Sequence, residues 1–370
     1  MKKLLLAVIC CIGAFLMTTQ TASATHLMGG NMTYEYLGLN SGTGLYDYRV
    51  TLKIYRLCDP GSSALPISTS LGAYQDNPGN PNLKQRVALA TLNLISQQAI
   101  VPPNAGASCS FAPNVCVEEG VYQTTISVPA NSTGYYFMAD RCCRNNNIDN
   151  LNNPGATGQA YYAYAPNPTI DNNSPTFAVP PVPFICANDT VSILNQAIDV
   201  DGDSLSYELV SCLGDQGLPL SLGDIPAWIL PNQVTAQTSD SFTIDPYTGN
   251  VNWNTPLLAG EYNIAIKITE WRNGVAIGFV MRDMQIDVIT CSNIPPVILP
   301  IPHQCVTAGD NVNFSVSVSD PNGDNLMVEA FGGPMTEVIH QASFNGFSYV
   351  FNWNPQCEEI RLGPYQMTFQ

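Results

Sequence analysis

Between Leu45 and Leu57, Tyr46, Tyr48, Val50, Leu52 and Ile54 alternate with Asp47, Arg49, Thr51 and Lys53. A period of two puts the apolar set on one face and the polar set on the other, the pattern of a strand lying between a core and water. Residues 31–37, 86–95, 121–128, 134–139 and 160–165 also read as strands. Further along, so do 190–193, 242–244, 251–253, 279–289 and 311–318, and Tyr262, Ile264, Ile266 and Ile268 alternate inward. Asp59-Pro60-Gly61, Asn77-Pro78-Gly79 and Asn153-Pro154-Gly155 are strong turn formers. No segment carries convincing helical periodicity, so the pattern predicts an all-β chain of tandem β-sandwich units.

Part of the pattern occurs twice. Asp199-Val200-Asp201-Gly202-Asp203, Asn252-Trp253-Asn254 and Gly260-Glu261-Tyr262 are followed in the same order by Asp320-Pro321-Asn322-Gly323-Asp324, Asn352-Trp353-Asn354 and Gly363-Pro364-Tyr365. An ordered set that recurs marks tandem copies of one small β-domain. The predicted organisation is a leader at 1–24, an N-terminal β-sandwich over 25–166, a repeat over 184–292 and a second, incomplete repeat over 303–370. The Pro/Asn-rich stretches 166–183 and 294–302 separate the units and predict stiff, extended spacers in a stalk-like array. The last unit stops inside the strand begun by Tyr365, so the sequence is expected to be the front of a longer protein.

Lys2 and Lys3, the apolar run 4–17 and Ala22-Ser23-Ala24 have the layout of a cleaved secretory signal. The chain is acidic, with a formal net charge of −16. Losing both lysines with the leader makes the mature chain more acidic still. A surface poor in Lys argues against nucleic acid and anionic lipid as partners, and it can attract divalent cations. Cys10 and Cys11 leave with the leader, and ten of the 12 cysteines remain: Cys58, Cys109, Cys116, Cys142, Cys143, Cys186, Cys212, Cys291, Cys305 and Cys357. An even count in an exported chain reads as disulfides. Cys109–Cys116 suits a local loop closure, and Cys305–Cys357 would staple the last unit. Cys142 and Cys143 are expected to bond to two different partners, because a ring between neighbours is strained. With no Cys-x-x-Cys and only His26, His303 and His340, zinc is not indicated.

The order Phe242-x-Ile244-Asp245-x-x-Thr248-Gly249-x-Val251-x-Trp253, then Gly-x-Tyr and alternating aliphatics, resembles the Ig-like, cadherin-like and PKD-like repeats of bacterial surface proteins. Thr25-His26-Leu27-Met28-Gly29-Gly30, the run from Tyr48 to Arg56 ending at Cys58, and Asp140-Arg141-Cys142-Cys143-Arg144-Asn145 resemble the front of large Bacteroidota exoproteins of the gliding-motility-associated, type IX secretion sorting-domain class. The resemblance implies an exported, cell-surface or secreted protein of adhesive architecture, and it transfers no catalytic residues. The sorting domain itself is absent from these residues.

The doubled aspartate loop is the one candidate for metal chemistry. Asp199, Asp201 and Asp203, and again Asp320, Asn322 and Asp324, place oxygen ligands at alternate positions in a Gly-containing loop. Such a set can converge on Ca2+, which takes six to eight oxygens. Cadherin-like repeats hold Ca2+ near unit junctions with help from neighbouring loops. A solvated turn accounts for the same residues on backbone grounds alone. The metal reading predicts that Asp201→Ala abolishes any Ca2+-induced rise in melting temperature.

Trp253 and Trp353 could be sugar platforms, but their matched strand positions favour the core, and Tyr262 and Tyr365 fit a sandwich corner. Asn31, Asn131, Asn172, Asn188 and Asn313 fit Asn-x-Ser/Thr. No nucleophile or zinc-protease motif stands in a suggestive context. The expectation is a non-catalytic adhesive or structural protein that meets an extracellular protein or glycan. The alternative is a carbohydrate-binding or accessory front end of a secreted hydrolase whose catalytic domain lies beyond residue 370.

Overall fold

The strand marked by alternation, β2 (Leu45–Leu57), carries Tyr48, Val50, Leu52 and Ile54 into the core, each at most 1% exposed. It lies between β1 (Leu27–Asn40) and β5 (Val117–Val128). The order continues through β4 (Lys84–Ile100), β3 (Ser68–Asp76), β6 (Tyr135–Arg141) and β7 (Gln159–Ala165), antiparallel throughout. The computed structural model describes residues 27–369, apart from 59–61, 81–82, 101–115, 182–183, 215–227, 235–240, 292–293, 337 and 362–363. The expected leader at 1–24 and Cys109 lie outside the described residues.

The stretches expected as separate units share a sheet. β15 (Gly260–Arg272) pairs along one whole edge of β16 (Val275–Ile289), and β12 (Ser204–Val210) follows outside β15. The other edge of β16 takes three strands in succession. Phe279 and Val280 pair with Tyr164 and Ala163 of β7. Arg282, Asp283 and Met284 pair with Asn31, Gly30 and Gly29 of β1. Asp287–Ile289 then pair in parallel with β9 (Phe184–Cys186). Both outer strands of the first sheet therefore end on one strand from the repeat. One apolar cluster unites Met32, Tyr48 and Phe137 with Trp253, Tyr262 and Ile266. This overturns the stalk-like spacing expected from the first Pro/Asn-rich bridge, because burying the apolar face of β16 draws the two stretches together.

A small sheet of β10 (Val191–Ile193), β14 (Val251–Asn254) and β13 (Ser241–Ile244) packs onto β15 through Trp253. Trp253 is wholly buried and meets Phe242 and Tyr262 edge to face, each at 5.2 Å between ring centres. The Tyr262 hydroxyl donates back to the Leu258 carbonyl. Sheets facing across a buried Trp, with a tyrosine tied upstream, are features of Ig-like sandwiches.

The last unit repeats the scheme. Val312 faces Trp353 across β18 (Val312–Ser315) and β22 (Val350–Trp353), as Val191 faces Trp253, and β21 (Ser343–Asn345) completes that sheet. The Tyr365 hydroxyl donates to the Glu359 carbonyl. Before each aspartate loop a two-residue pair binds the preceding bridge, β8 (Thr176–Phe177) with β11 (Ala197–Ile198) and β17 (Val297–Ile298) with β19 (Val318–Ser319). β20 (Ala330–Gly332) pairs with β23 (Met367–Phe369). Trp353 is only half-buried, and the apolar cluster of this unit is small.

The disulfides differ from the expected pairs. Cys116 bonds to Cys58, whose strand β2 runs beside β5, and Cys186 bonds to Cys291 where β9 meets β16. Cys142 and Cys143 bond to each other across a cis peptide, with their Cα atoms 3.1 Å apart, rather than to two partners. Cys305 and Cys357 are exposed and unbonded, so no staple closes the last unit. Cys212 is buried and bonds to no described cysteine.

Candidate cation site

The loop 199–203 is folded by its own backbone. Gly202 adopts φ 80°, a left-handed conformation that glycine takes without penalty. The Asp199 carbonyl accepts from the Gly202 N–H at 3.3 Å, and Asp199 Oδ1 accepts from the Asp203 N–H at 2.9 Å. These bonds turn Asp199 and Asp203 to one side of the loop. Glu270 reaches the same place from β15, where it faces Leu205 at the start of β12. On its other side Glu270 faces Gly278 of β16, and a Cβ there would sit 2.2 Å from Glu270 Oε2. The bare glycine leaves the space that the carboxyl fills.

Asp199, Asp203 and Glu270 each bring an oxygen to a common place, all within 4.8 Å of one another. Asp199 is 6% exposed and Glu270 not at all. Arg272 holds Asp203 in a two-pronged bond, Nε to Oδ1 at 2.8 Å and a terminal nitrogen to Oδ2 at 2.6 Å. Asn172 donates to Glu270 Oε1 at 2.9 Å. Asp199 Oδ2 and Glu270 Oε2 are fully buried and accept from no N–H or O–H group, and the two carboxyls lie close enough to hydrogen-bond each other when one holds a proton. Burial, reinforced by the neighbouring carboxylates, pushes Asp199 up to about 6 and Glu270 up to about 9.

Asp201 belongs to a different arrangement. It accepts from the Asn173 N–H at 2.6 Å and the Asn173 side-chain amide at 2.8 Å, and it stands 3.7 Å from Arg272. It fastens the bridge between the first sheet and the repeat. The second loop copies this contact: Asn322 accepts from the Ile294 N–H at 2.9 Å, the same 28 residues upstream. Asp320 accepts from the N–H groups of Asn322 and Asp324, and Gly323 again has φ 80°. Among the described residues, no cluster of three His, Cys, Asp or Glu side chains forms around Asp320 and Asp324. The alternate spacing thus resolves into outer positions that shape the loop and a middle position that grips the bridge.

Glu270 is the residue that the loop motif does not reveal. Its signal is in the strand pattern: Tyr262, Ile264, Ile266 and Ile268 occupy inward positions, and the next inward position is an acid. Among the described residues a second cluster, His340 with Glu358 and Glu359, has a local explanation. Glu359 accepts from the N–H groups of Gln356 and His340 and meets the imidazole, which caps a short turn.

No family model matches the chain, and no curated protein matches it. Among solved structures it is similar to Sidekick-1 immunoglobulin domains 1-5, at 11% identity over 92% of this chain and 73% of that one, with a TM-score of 0.18. That superposition is too loose to carry an argument, and the all-β, tandem-unit class rests on the strands themselves. Among the described residues no helix is long and apolar enough to cross a membrane.

Proposed function

We propose that this chain is an exported, non-catalytic adhesive or structural protein in which Asp199, Asp203 and Glu270 hold a divalent cation, Ca2+. One observation carries the cation: Asp199, Asp203 and Glu270 bring carboxylate oxygens within 4.8 Å of one another, and Asp199 Oδ2 and Glu270 Oε2 are buried with no N–H or O–H donor on them. An unpaired buried carboxylate is costly, and either a proton or a cation can relieve it. Arg272 offsets Asp203 and leaves the other two uncompensated. Ca2+ binds oxygens at 2.3–2.6 Å, so two of its ligands lie at most about 5 Å apart, which the cluster satisfies. The all-oxygen donor set suits a hard cation and not zinc.

The same burial speaks for a structural role. Raised carboxyl pairs also occur in general acid–base catalysis. Here neither unpaired oxygen is open to solvent, and the other oxygens of Asp199 and Glu270 are taken by the Asp203 N–H and by Asn172. Export is supported by the leader-like N-terminus and the disulfides, and an acidic surface suits an extracellular setting. The Bacteroidota surface-protein resemblance agrees with this reading.

Equilibrium dialysis of the full mature chain against Ca2+ tests the cation. The expected result is one saturable ion that Asp199→Asn removes, with a dissociation constant of roughly 10⁻⁴–10⁻³ M, the range of extracellular modules. Unsaturable uptake that Asp199→Asn leaves unchanged would overturn the assignment.

A further inference from the structure

Beside the aspartate loop, a cleft of about 460 Å³ separates the outer strand β12 from the last unit. Its size falls within the ~300–1,000 Å³ usual for small-ligand sites. Trp271 lies on one wall, 38% exposed, in a chain whose matched tryptophan Trp253 is wholly buried. The backbone of Trp271 pairs with Ser204, yet its indole N–H donates to the Ser206 hydroxyl at 2.7 Å, two residues further along β12. The ring is therefore laid across the neighbouring strand with its one polar atom already engaged. An aromatic fixed in this way offers a flat apolar surface at little cost in side-chain freedom.

The other walls mix apolar residues (Ile198, Leu205, Pro364) with polar and charged ones, Arg361 and Asp203 among them. Tyr247 is 76% exposed on the turn after β13, and its carbonyl accepts from the Gln366 side chain at 2.9 Å. That bond and the contact of Thr368 with Gln196 connect the two sides of the cleft. Ser204 and Gln366 add a hydroxyl and an amide to the lining.

Three classes of occupant fit poorly. The formal charge of −16 and the nearby aspartates oppose a nucleic acid or another polyanion. Extension of the sheet by a peptide meets a blocked edge, because the Tyr207 N–H on β12 already donates to the Pro246 carbonyl at 3.0 Å. A lipid tail would lie against the charged Asp203 and Arg361 side chains in the lining.

We propose that this cleft binds a neutral saccharide, with a pyranose ring stacked on Trp271 and its hydroxyls met by the serine and glutamine side chains. The flat apolar C–H face of a sugar matches an immobilised indole, and its hydroxyl rim matches short polar side chains that both donate and accept. The saccharide site borders the carboxylate cluster, since Asp199 and Asp203 line the same cleft. It goes beyond the structural role above and does not require the cation.

The test is affinity electrophoresis of the full mature chain through gels containing laminarin, xyloglucan, galactomannan or alginate, with Trp271→Ala and Trp271→Phe alongside. Retardation is expected in at least one of the three neutral polysaccharides. It should weaken roughly tenfold in Trp271→Ala, the scale of one lost aromatic contact, and be largely restored in Trp271→Phe. Unchanged melting temperatures would separate lost binding from lost folding. Retardation in none of the neutral gels, in alginate alone, or equally in Trp271→Ala would overturn the proposal.

Discussion

At the scale of single residues, the chain handles its buried charges in different ways. Arg144 is buried and gives two nitrogens to Asp283, at 2.8 and 2.6 Å, and its other donors go to Asn263 and the carbonyls of Gly158 and Leu213. That pair is fully satisfied, whereas Asp199 and Glu270 are not. Glu261 is intermediate. Burial first, and the charge of Asp287 next, push its carboxyl up to about 7, while hydrogen bonds from Asn147 and Gln285 pull the other way. The unfolded chain gives up this proton near the ordinary Glu value of about 4.3, and the folded chain keeps it to higher pH. The resulting stability is whole below that value and is lost as pH rises toward about 7. Glu261→Gln has no proton to lose, so its urea midpoint should fall less than that of the wild type between pH 5 and pH 7. Parallel declines in the two proteins would refute this.

At the scale of elements, the bridge 166–175 does more than span. The Asn172 amide donates to the Tyr34 hydroxyl on β1 and to Glu270 on β15, and its carbonyl oxygen accepts from Arg272. Ser174 exchanges hydrogen bonds with the backbone of Tyr34. Replacing Asn172 with Leu strands these buried partners, with an expected cost of about 1–3 kcal/mol in urea denaturation. A change below the error of the measurement would show that the bridge is passive.

The sequence made most strands legible because one face of each is buried, which imposes alternation, and β2 appears with the bounds its pattern predicts. β3 was hidden because its Ser, Thr and Gly residues blur the alternation, although Leu71 and Ala73 are fully buried. β12 likewise stands at the outer edge of the sheet with only Tyr207 fully inward. Of the six loop residues singled out by their alternate spacing, only Asp199 and Asp203 stand in the carboxylate cluster. Glu270 was not legible from that spacing, since its part depends on pairing with residues distant in sequence. Asn172 fits a modification pattern but is 1% exposed, and its work is internal.

At the scale of the molecule, the segments 27–165 and 184–289 form one body, with a shared sheet, a shared core and the carboxylate cluster at their junction. The last unit repeats the local turns of its predecessor but carries its own small core. Such an arrangement predicts that the joined body melts as one cooperative unit and that a cation at the junction raises its transition. At a hundredfold excess over the dissociation constant, the gain is about 2.7 kcal/mol.

Scanning calorimetry of the full chain, in Ca2+ and in EDTA, measures this directly. The expected result is a single main transition for the joined body that Ca2+ moves upward. Glu270→Gln should lose that shift, and Asp201→Asn should keep it, because Asp201 holds the bridge and not the ion. Separate transitions for the two segments, or a Ca2+ shift that survives Glu270→Gln and disappears in Asp201→Asn, would contradict the account.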